Sequence, residues 1–407
     1  TVDAISDFSN VRTVSVAGQS VTLPLTLKAP AIALIRLRPS GGAVAKTTLS
    51  VVAPANRLVF QRNQTGDAAI AVAGNCAWPG AAVEARIVDA ATGKAGNWSA
   101  LGTVQSDFRY RDKVMAAAGW YSLEVRARGD GNYATTAVER VGVGEVFLVV
   151  GHSVAHGGQI NLPGAEDDRV STIALPAGDM ESQRRYKLTG DPRFLPEAVG
   201  RHFDSNVQPA PAGNGTYFWA TFAEHVAKTQ NVPVLLLNAA FGGTNLEHWA
   251  KSARSEPFEH PFVIASLRMP YIRLEHALTK YCSVTGLRAI IADHGQNDWP
   301  EKDEEKILAN YKAWINQARL DTGFPNLAVV VNRQSPPDGF GQIRRIQDRM
   351  IKEYPYCFPG ADYDTLAKED TTDKVHLSEA GAIKAARLWA DALNADFFKA
   401  AEPLPPE

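Results

Sequence analysis

The sequence predicts an α/β domain built on a parallel sheet, preceded by an all-β sandwich. Residues 11–143 form short β-branched segments separated by turn residues, whereas the chain from residue 144 onward alternates strand-like runs with long helical patterns. The length of 407 residues also exceeds what one hydrophobic core usually serves. We therefore expect two domains, a β-rich accessory domain over 1–143 and a second domain over 144–407.

The first half has the sequence pattern of an all-β domain. Its strand-like runs are VRTVSV (11–16), VTLPLTL (21–27), AIALIRL (31–37), RLVFQ (57–61), AAIAVAG (68–74), AVEARIV (82–88) and WYSLEVRAR (120–128), broken by turn signals at 17–20, 39–42, 91–97 and 129–132. This spacing is typical of a jelly-roll or immunoglobulin-like sandwich. The Ala-rich stretch at 114–120 is too short to form a helix by itself.

The second half alternates strands and helices. The strands are VFLVVG (146–151), VPVLLLNAA (232–240), LRAIIADHG (287–295) and LAVVVN (327–332), and helices are predicted over 217–228, 262–280, 304–318, 342–353 and 378–395. Alternation of this kind indicates βαβ units, and therefore a parallel sheet with helices on both faces in three α/β/α layers. In such sheets the working groups lie in loops at the carboxyl ends of the strands.

Composition excludes several kinds of partner. With 42 basic and 44 acidic residues the net charge is -2, so the sequence gives no indication of binding to nucleic acid or to anionic lipid. The longest apolar runs are much shorter than the roughly 20 residues of a membrane span, which argues against membrane insertion. We expect a neutral or weakly charged substrate.

The cysteines and the first residue bear on the cellular compartment. Cys76, Cys282 and Cys357 are too few and too irregularly spaced for a disulfide framework or a structural zinc site. The sequence opens at Thr1 without a signal peptide, as a processed exported protein would. We expect a secreted, periplasmic or cell-surface location.

Ser153 is the candidate nucleophile. It lies directly after the first strand of the second half, within the sequence Gly151-His152-Ser153. A helix that starts at this point would direct unpaired backbone N–H groups toward the hydroxyl.

Two further strand ends offer donors for an oxyanion. The strand at 232–240 runs into the pair Gly242-Gly243, where a backbone N–H can approach a ligand without an intervening side chain. The strand at 287–295 leads to Asn297, whose side-chain amide is a second type of donor.

Asp373 and His376 form the candidate acid–base pair. They precede a predicted helix that opens with Ser378, and a carboxylate three residues before an imidazole can fix its tautomer and stabilise the imidazolium. Together with Ser153, the glycine pair and Asn297, this pair fills every role that acyl transfer requires.

These four blocks, in this order, resemble those of SGNH (GDSL-like) hydrolases. They span residues 146 to about 380, and GGTNLEHW (242–249) is in addition similar to a GGT-x-I-E-x-W stretch of sialate O-acetylesterases and related carbohydrate acetylesterases. RLVFQRN (57–63) with a short β-domain ahead of the first block is similar to the N-terminal part of those enzymes.

The resemblance implies a serine esterase without a cofactor. It implies Ser153 as nucleophile, His376 as general base, Asp373 as its orienting carboxylate, and an oxyanion hole formed by Ser153, Gly243 or Gly242, and Asn297. Its expected substrates are O-acyl esters, above all O-acetyl esters, of a sugar or polysaccharide.

Substrate contacts are assigned to three more residues, His152, Thr244 and Trp299, with Trp299 as the aromatic platform. Asp298 is assigned a structural role. The long polar segment 157–215 is unusual inside a compact domain unless it borders a site, so we expect determinants of specificity there.

Two other functions compete with the serine esterase. His152 and His156 have a helical i, i+4 spacing that suits a metal-dependent hydrolase, but HSVAH lacks the Glu of H-E-x-x-H and contains the candidate nucleophile. A non-catalytic carbohydrate-binding or surface protein of the same fold is the other alternative, although the complete set of catalytic roles argues against it.

Overall fold

A computed structural model describes the chain over residues 2–5, 11–14, 35–37, 48–160, 162–175, 179–335, 341–373 and 375–406. It divides into two compact units, Thr1–Thr48 and Leu49–Glu407. The predicted run at 21–27, residues 31–34 of the next run, and the turn signals at 17–20 and 39–42 lie outside the described residues.

The first unit contains a small antiparallel sheet. Its strands are β1 (Val2–Ile5), β2 (Val11–Val14) and β3 (Ile35–Leu37), with β1 in the middle. Val2 pairs with Val14 on one side and with Leu37 on the other.

The second unit begins with a β-rich part. Its strands are β4 (Leu49–Ala53), β5 (Leu58–Gln61), β6 (Asp67–Cys76), β7 (Ala82–Asp89), β8 (Ser99–Thr103), β9 (Arg109–Ala117), β10 (Gly119–Gly129) and β11 (Asn132–Gly151). One antiparallel sheet has the order β4-β6-β9, and a second contains β8-β7-β10-β11. Alternate residues of β6 and β10 are buried, and the buried residues of both sheets form one hydrophobic cluster, as in a sandwich.

Strand β11 joins the β-rich part to the parallel sheet. It runs for 20 residues from Asn132 to Gly151. Its first part pairs with β10, and its last part pairs with β15 and β16 of the parallel sheet. The predicted boundary at 143/144 falls inside this strand, so a separate accessory domain stays a prediction.

The remaining strands complete a large mixed sheet. They are β12 (Val170–Leu175), β13 (Gly200–His202), β14 (Gln208–Pro209), β15 (Val234–Asn238), β16 (Ala289–Asp293), β17 (Val329–Arg333) and β18 (Cys357–Asp362). The parallel core has the order β12-β15-β11-β16-β17-β18, and β13 lies antiparallel at the edge. All residues of β15 and β16 are buried, as expected for strands covered on both faces.

Helices cover both faces of this sheet. They are α1 (Ser153–His156), α2 (Met180–Thr189), α3 (Trp219–Gln230), α4 (Leu246–Ala253), α5 (Tyr271–His276), α6 (Ser283–Thr285), α7 (Glu304–Thr322), α8 (Gln342–Glu353), α9 (Glu379–Ala392) and α10 (Ala395–Ala400). Leu148 and Val150 of β11 share a cluster with α4, α5, α7 and α8, whereas Phe147 and Val149 share one with α3 and α9. The predicted α/β fold with a parallel sheet core is confirmed.

Four predicted helices have other bounds than predicted. Those predicted over 217–228 and 304–318 extend over Trp219–Gln230 and Glu304–Thr322. The helix predicted over 262–280 begins only at Tyr271, because Pro270 restricts the residue before it and favours the first turn of a helix instead of its interior. The helix predicted over 378–395 is divided into α9 and α10, where Asn394 caps the second by accepting a hydrogen bond from Phe397 N.

Among the described residues, none of the helices combines the length and the apolar character that crossing a bilayer requires. The secreted, periplasmic or cell-surface location stays a prediction.

Candidate active site

The candidate nucleophile lies where β11 gives way to α1. Gly151, the last residue of β11, has φ = +147°, and a methyl group on it would lie 2.1 Å from Asp293 O of the neighbouring strand. Only glycine allows this approach, which lets the chain turn sharply and begin a helix at Ser153. The serine hydroxyl thus stands at the carboxyl edge of the sheet.

The structure brings Ser153, His376 and Asp373 together in one line. Ser153 Oγ lies 2.8 Å from His376 Nε2, and His376 Nδ1 lies 2.7 Å from Asp373 Oδ2. Asp373 Oδ1 accepts two main-chain hydrogen bonds, from His376 N at 2.7 Å and from Val375 N at 3.1 Å. The carboxylate therefore orients both the backbone and the ring of the histidine.

Asp373 stays ionised in this arrangement. The hydrogen bond from the His376 side chain, followed by those from the main-chain N–H groups, holds the pKa of Asp373 at about 2. A negative charge next to Nδ1 favours the tautomer that leaves Nε2 unprotonated toward Ser153. Lys374, in the middle of this loop, lies outside the described residues.

The start of α9 holds the histidine loop in place. Ser378 caps this helix by accepting a hydrogen bond from Gly381 N at 3.2 Å, and Ser378 N donates to Asp370 O at 2.8 Å. A methyl group on Gly381 would lie 1.9 Å from the same carbonyl oxygen. The loop and the first turn of α9 therefore fit together only with glycine at this position.

Gly242 lies next to the candidate nucleophile. A methyl group on Gly242 would lie 3.8 Å from Ser153 Cα and 3.4 Å from His156 Nδ1. Gly243 has φ = +75°, and a methyl group there would point at the ring of Phe262, 2.6 Å away. Both glycines thus lie in the loop beside Ser153. The left-handed backbone of Gly243 favours glycine, whereas a methyl group on Gly242 would make only ordinary van der Waals contacts.

The amide of Asn297 is tied to the same loop. Asn297 lies in a 3-10 turn over Gln296–Asp298, and its Nδ2 donates to Thr244 O at 2.8 Å. A primary amide carries a second N–H hydrogen, which this bond does not use.

Thr244 and Asp298 form buried hydrogen bonds within and next to the glycine loop. The Thr244 hydroxyl is buried, donates to Phe241 O at 2.7 Å and accepts from Trp249 Nε1 at 3.0 Å. Asp298 is also buried and accepts from Leu246 N, the first residue of α4, at 3.0 Å. Burial raises the pKa of Asp298 to about 8. Thr244 therefore lies beneath the loop, away from the surface that a substrate would reach.

His152 lies beside the nucleophile but inside the protein. Its side chain is fully buried, its Nε2 donates to Gln296 Oε1, and its Nδ1 lies 3.4 Å from Ser153 Oγ. Burial lowers the pKa of His152 to about 4, so the ring is neutral at physiological pH. Trp299, by contrast, is exposed by 42%.

A cavity of about 510 Å³ opens next to Gly242 and His156. The segment 157–215, expected to border the site, contributes Gln183, Tyr186, Lys187, Gln208 and Asn214 to its wall. Phe241, Phe262 and Arg273 form another part of the wall. No aspartate or glutamate contributes to the described lining, whereas Lys187 and Arg273 are both basic.

Phe262 and Arg273 are two residues of the cavity wall that the sequence patterns do not predict. Phe262 was assigned to a helix, and Arg273 lies on α5, far along the chain from every catalytic block.

The histidines of the metal alternative have other partners. His156 Nε2 donates to Ala212 O at 2.9 Å, and His152 Nε2 is engaged by Gln296. In the described part of the chain, no group of three or more His, Cys, Asp or Glu side chains is arranged to hold a metal ion.

Comparison with protein families defines the class of this protein. The family model for carbohydrate esterases described as sialic acid-specific acetylesterases matches residues 143–395. The chain is therefore a carboxylic ester hydrolase, as predicted. It belongs to the carbohydrate esterase family of sialic acid-specific acetylesterases.

Solved structures with a similar fold include a carbohydrate acetylesterase from Xanthomonas citri. The likeness has a TM-score of 0.51 at 16% identity and covers 85% of this chain and 74% of that one. A protein from Arabidopsis thaliana is similar with a TM-score of 0.43 at 16% identity, over 62% of this chain and 98% of that chain. At 16% identity, the likeness to the Xanthomonas citri structure concerns the fold alone. No curated protein matches this sequence significantly.

Proposed function

We propose that the protein hydrolyses O-acetyl esters of a carbohydrate, with Ser153 as nucleophile, His376 as general base and Asp373 as the carboxylate that orients it. The observation that carries the proposal is the unbroken contact from Ser153 Oγ through the imidazole to the Asp373 carboxylate, at 2.8 Å and 2.7 Å. Membership of the acetylesterase family supports the choice of acyl group.

The reaction proceeds in two steps. His376 Nε2 takes the proton of Ser153 Oγ while this oxygen attacks the acetyl carbonyl carbon, and the imidazolium then gives the proton to the sugar oxygen as the C–O bond breaks. In the second step a water molecule loses a proton to His376 and attacks the carbonyl carbon of the acetyl-enzyme. The bond from this carbon to Ser153 Oγ then breaks, the imidazolium returns its proton to Oγ, and acetate leaves. Asp373 remains ionised and stabilises the imidazolium in both steps.

The developing oxyanion is stabilised by the glycine loop and by Asn297. We assign the donors to the main-chain N–H groups of Ser153 and of the pair Gly242–Gly243, together with Asn297 Nδ2. Each such donor contributes roughly 3 to 4 kcal/mol to transition-state stabilisation in comparable hydrolases. The bond from Asn297 to Thr244 O supports this assignment because it holds the amide next to the glycine loop.

The cavity beside Gly242 is the proposed binding site for the sugar. Its aromatic rings and side-chain amides are suited to the faces and hydroxyls of a pyranose. Its two basic residues, without an acidic residue in the described lining, favour a sugar that carries a carboxylate over a neutral one.

Esterase assays with matched variants test this function. Wild-type protein and Ser153→Ala are compared on p-nitrophenyl acetate, O-acetylated sialic acid and acetylated xylan, with and without EDTA. We expect EDTA-resistant acetate release that is lost in the variant, and faster turnover of the acidic sugar than of xylan. Activity that survives in Ser153→Ala but disappears with EDTA would support the metal-dependent hydrolase.

Absence of turnover has a separate meaning. If the wild-type protein releases no acetate from any of these esters but binds the sugars in calorimetry, the non-catalytic carbohydrate-binding alternative replaces the proposed esterase. Circular dichroism of Ser153→Ala serves as the folding control, because a loss of Oγ beside an open cavity is not expected to disturb the core.

A further inference from the structure

Arg273 connects α5 with the glycine loop. Its side chain is only 5% exposed, and its NH1 donates to Ala240 O at 2.9 Å. The guanidinium carbon lies 3.7 Å from the centre of the Phe241 ring, which places the charge on the face of the aromatic ring. Arg273 therefore contacts both residues that immediately precede Gly242.

No acidic side chain in the described part of the chain forms an ion pair with Arg273, and its Nε is buried without a hydrogen-bond partner. Burial lowers the pKa of Arg273 to about 10, which still leaves the guanidinium protonated at neutral pH. An unpaired buried cation costs stability. A position that keeps one calls for a functional explanation.

Further hydrogen bonds hold the glycine loop. Phe241 N donates to Gly151 O at 2.9 Å, and Phe241 O accepts from the Thr244 hydroxyl at 2.7 Å. Asn297, which follows the carboxyl end of β16, donates to Thr244 O at 2.8 Å. His260 Nε2 donates to Gly243 O at 3.1 Å, and Arg273 supplies the side-chain contact to Ala240 O and to the Phe241 ring on the wall of the cavity.

The charge of Arg273 reaches the neighbourhood of the nucleophile. Burial, and next the charge of Arg273, lower the pKa of His156 to about 4. His156 Nδ1 in turn lies within 3.4 Å of a methyl group placed on Gly242. The same positive field acts favourably on a negative charge that develops next to Gly242.

We propose that Arg273 is a positioning residue for ester hydrolysis: by holding Ala240 O and the Phe241 ring, it fixes the direction of the Gly242 and Gly243 N–H groups. This inference rests on the proposed function. A misplacement of about 1 Å in such groups lowers the rate about 100-fold, so the effect is expected in kcat for any acetyl ester, including one without a carboxylate.

The test compares Arg273→Ala and Arg273→Lys with the matched control Arg319→Ala. Arg319 also donates to main-chain oxygens, those of Leu327 and Pro355, and lies 5.2 Å from the Tyr354 ring. These contacts are at the amino ends of β17 and β18, the edge of the sheet opposite to the catalytic loops.

Kinetics on p-nitrophenyl acetate separate positioning from general packing. We expect Arg273→Ala to lower kcat about 10- to 100-fold with KM changed less than about twofold, and Arg273→Lys to retain an intermediate kcat. Millimolar guanidinium, which can enter through the cavity, is expected to restore part of the kcat of Arg273→Ala and to leave Arg319→Ala unchanged. A kcat within about twofold of wild type, or a loss without recovery by guanidinium, overturns the proposal.

Amide hydrogen exchange provides a readout that needs no turnover. Exchange in the peptide that contains Ala240–Gly243 is expected to accelerate in Arg273→Ala and not in Arg319→Ala. If the wild-type protein proves inactive on every ester, the proposed esterase fails while this measurement still decides whether Arg273 holds the loop. Unchanged exchange in Arg273→Ala shows that it does not.

Discussion

Asp373 Oδ2 accepts a hydrogen bond from His376 Nδ1 at 2.7 Å although more than half of the aspartate side chain is exposed. The bond persists in this setting because two main-chain N–H groups of the same loop bind the other carboxylate oxygen. Orientation of the imidazole therefore depends on a short local loop and not on burial.

Asp373→Asn is expected to lower kcat/KM on p-nitrophenyl acetate roughly 100- to 10,000-fold, because an amide can donate to Nδ1 and so favour the wrong tautomer of His376. The exposed Asp391→Asn on α9 is the control and should match wild type. Wild-type turnover by Asp373→Asn would remove this carboxylate from the mechanism.

Two substitutions of His152 test its structural role: one is expected to preserve activity, the other to lower stability. His152→Gln keeps a donor within reach of Gln296, so kcat/KM is expected to stay within about fivefold of wild type. His152→Ala leaves the buried Gln296 Oε1 without its donor, and the free energy of unfolding should fall by about 1 to 3 kcal/mol. Chemical denaturation and the nitrophenyl assay check both; a large loss of kcat in a stably folded His152→Gln would assign a chemical role to the imidazole.

The two loop glycines should respond differently to alanine. At Gly242 a methyl group meets only contacts of 3.4 Å and more, so Gly242→Ala is expected to keep its stability but to lose kcat by crowding the oxyanion. Gly243→Ala requires a left-handed backbone at φ = +75°, which costs about 1 to 2 kcal/mol.

Melting temperatures and kcat of both variants, alone and combined with Phe262→Ala, test this distinction. The Phe262 ring is 61% exposed and can move, so its removal should relieve little of the Gly243→Ala destabilisation. Full recovery in the double variant would show that contact with the ring, and not the backbone conformation, is the cause.

Asp298 makes stability depend on pH. Burial raises its folded pKa to about 8, above the unfolded value near 3.9, so the folded protein binds a proton that the unfolded chain has released. The free energy of unfolding therefore falls as the pH rises from about 4 to about 8. Asp298→Asn removes this dependence while its amide oxygen can still accept from Leu246 N.

Thermal unfolding at about pH 5 and pH 8 measures the effect. The melting temperature of the wild-type protein should fall more between these values than that of Asp298→Asn. Some dependence will remain in the variant, because burial also raises the pKa of Asp293 to about 7. Parallel changes in the two proteins would show that Asp298 is ionised in the folded state over this whole range.

Local patterns predicted the parts of the site that depend on strand ends. Ser153 follows β11, Asn297 follows β16 and His376 precedes α9, and parallel strands necessarily bring these ends to one edge. Helix bounds were predicted less well where a single residue decides them, as Pro270 does for α5.

Contacts between segments far apart in sequence could not be predicted in this way. Arg273 and Phe262 contact the glycine loop only because α5 and the chain before it pack on one face of the sheet. On this face, residues of α5 share a hydrophobic cluster with Leu235 and Leu237 of β15. No periodicity encodes that meeting, since it depends on how whole elements pack.

The sequence by itself thus determined the fold class, the family and the residue types of the candidate catalytic blocks, because strand and helix periodicities and glycine turns are local properties. Only the tertiary structure decided that Gly242 faces Ser153, that His152 and Thr244 are buried, and that a cavity with two basic residues opens beside them. The burial of a side chain and its distance from another depend on many neighbouring residues, and these neighbours come together only when the chain is folded.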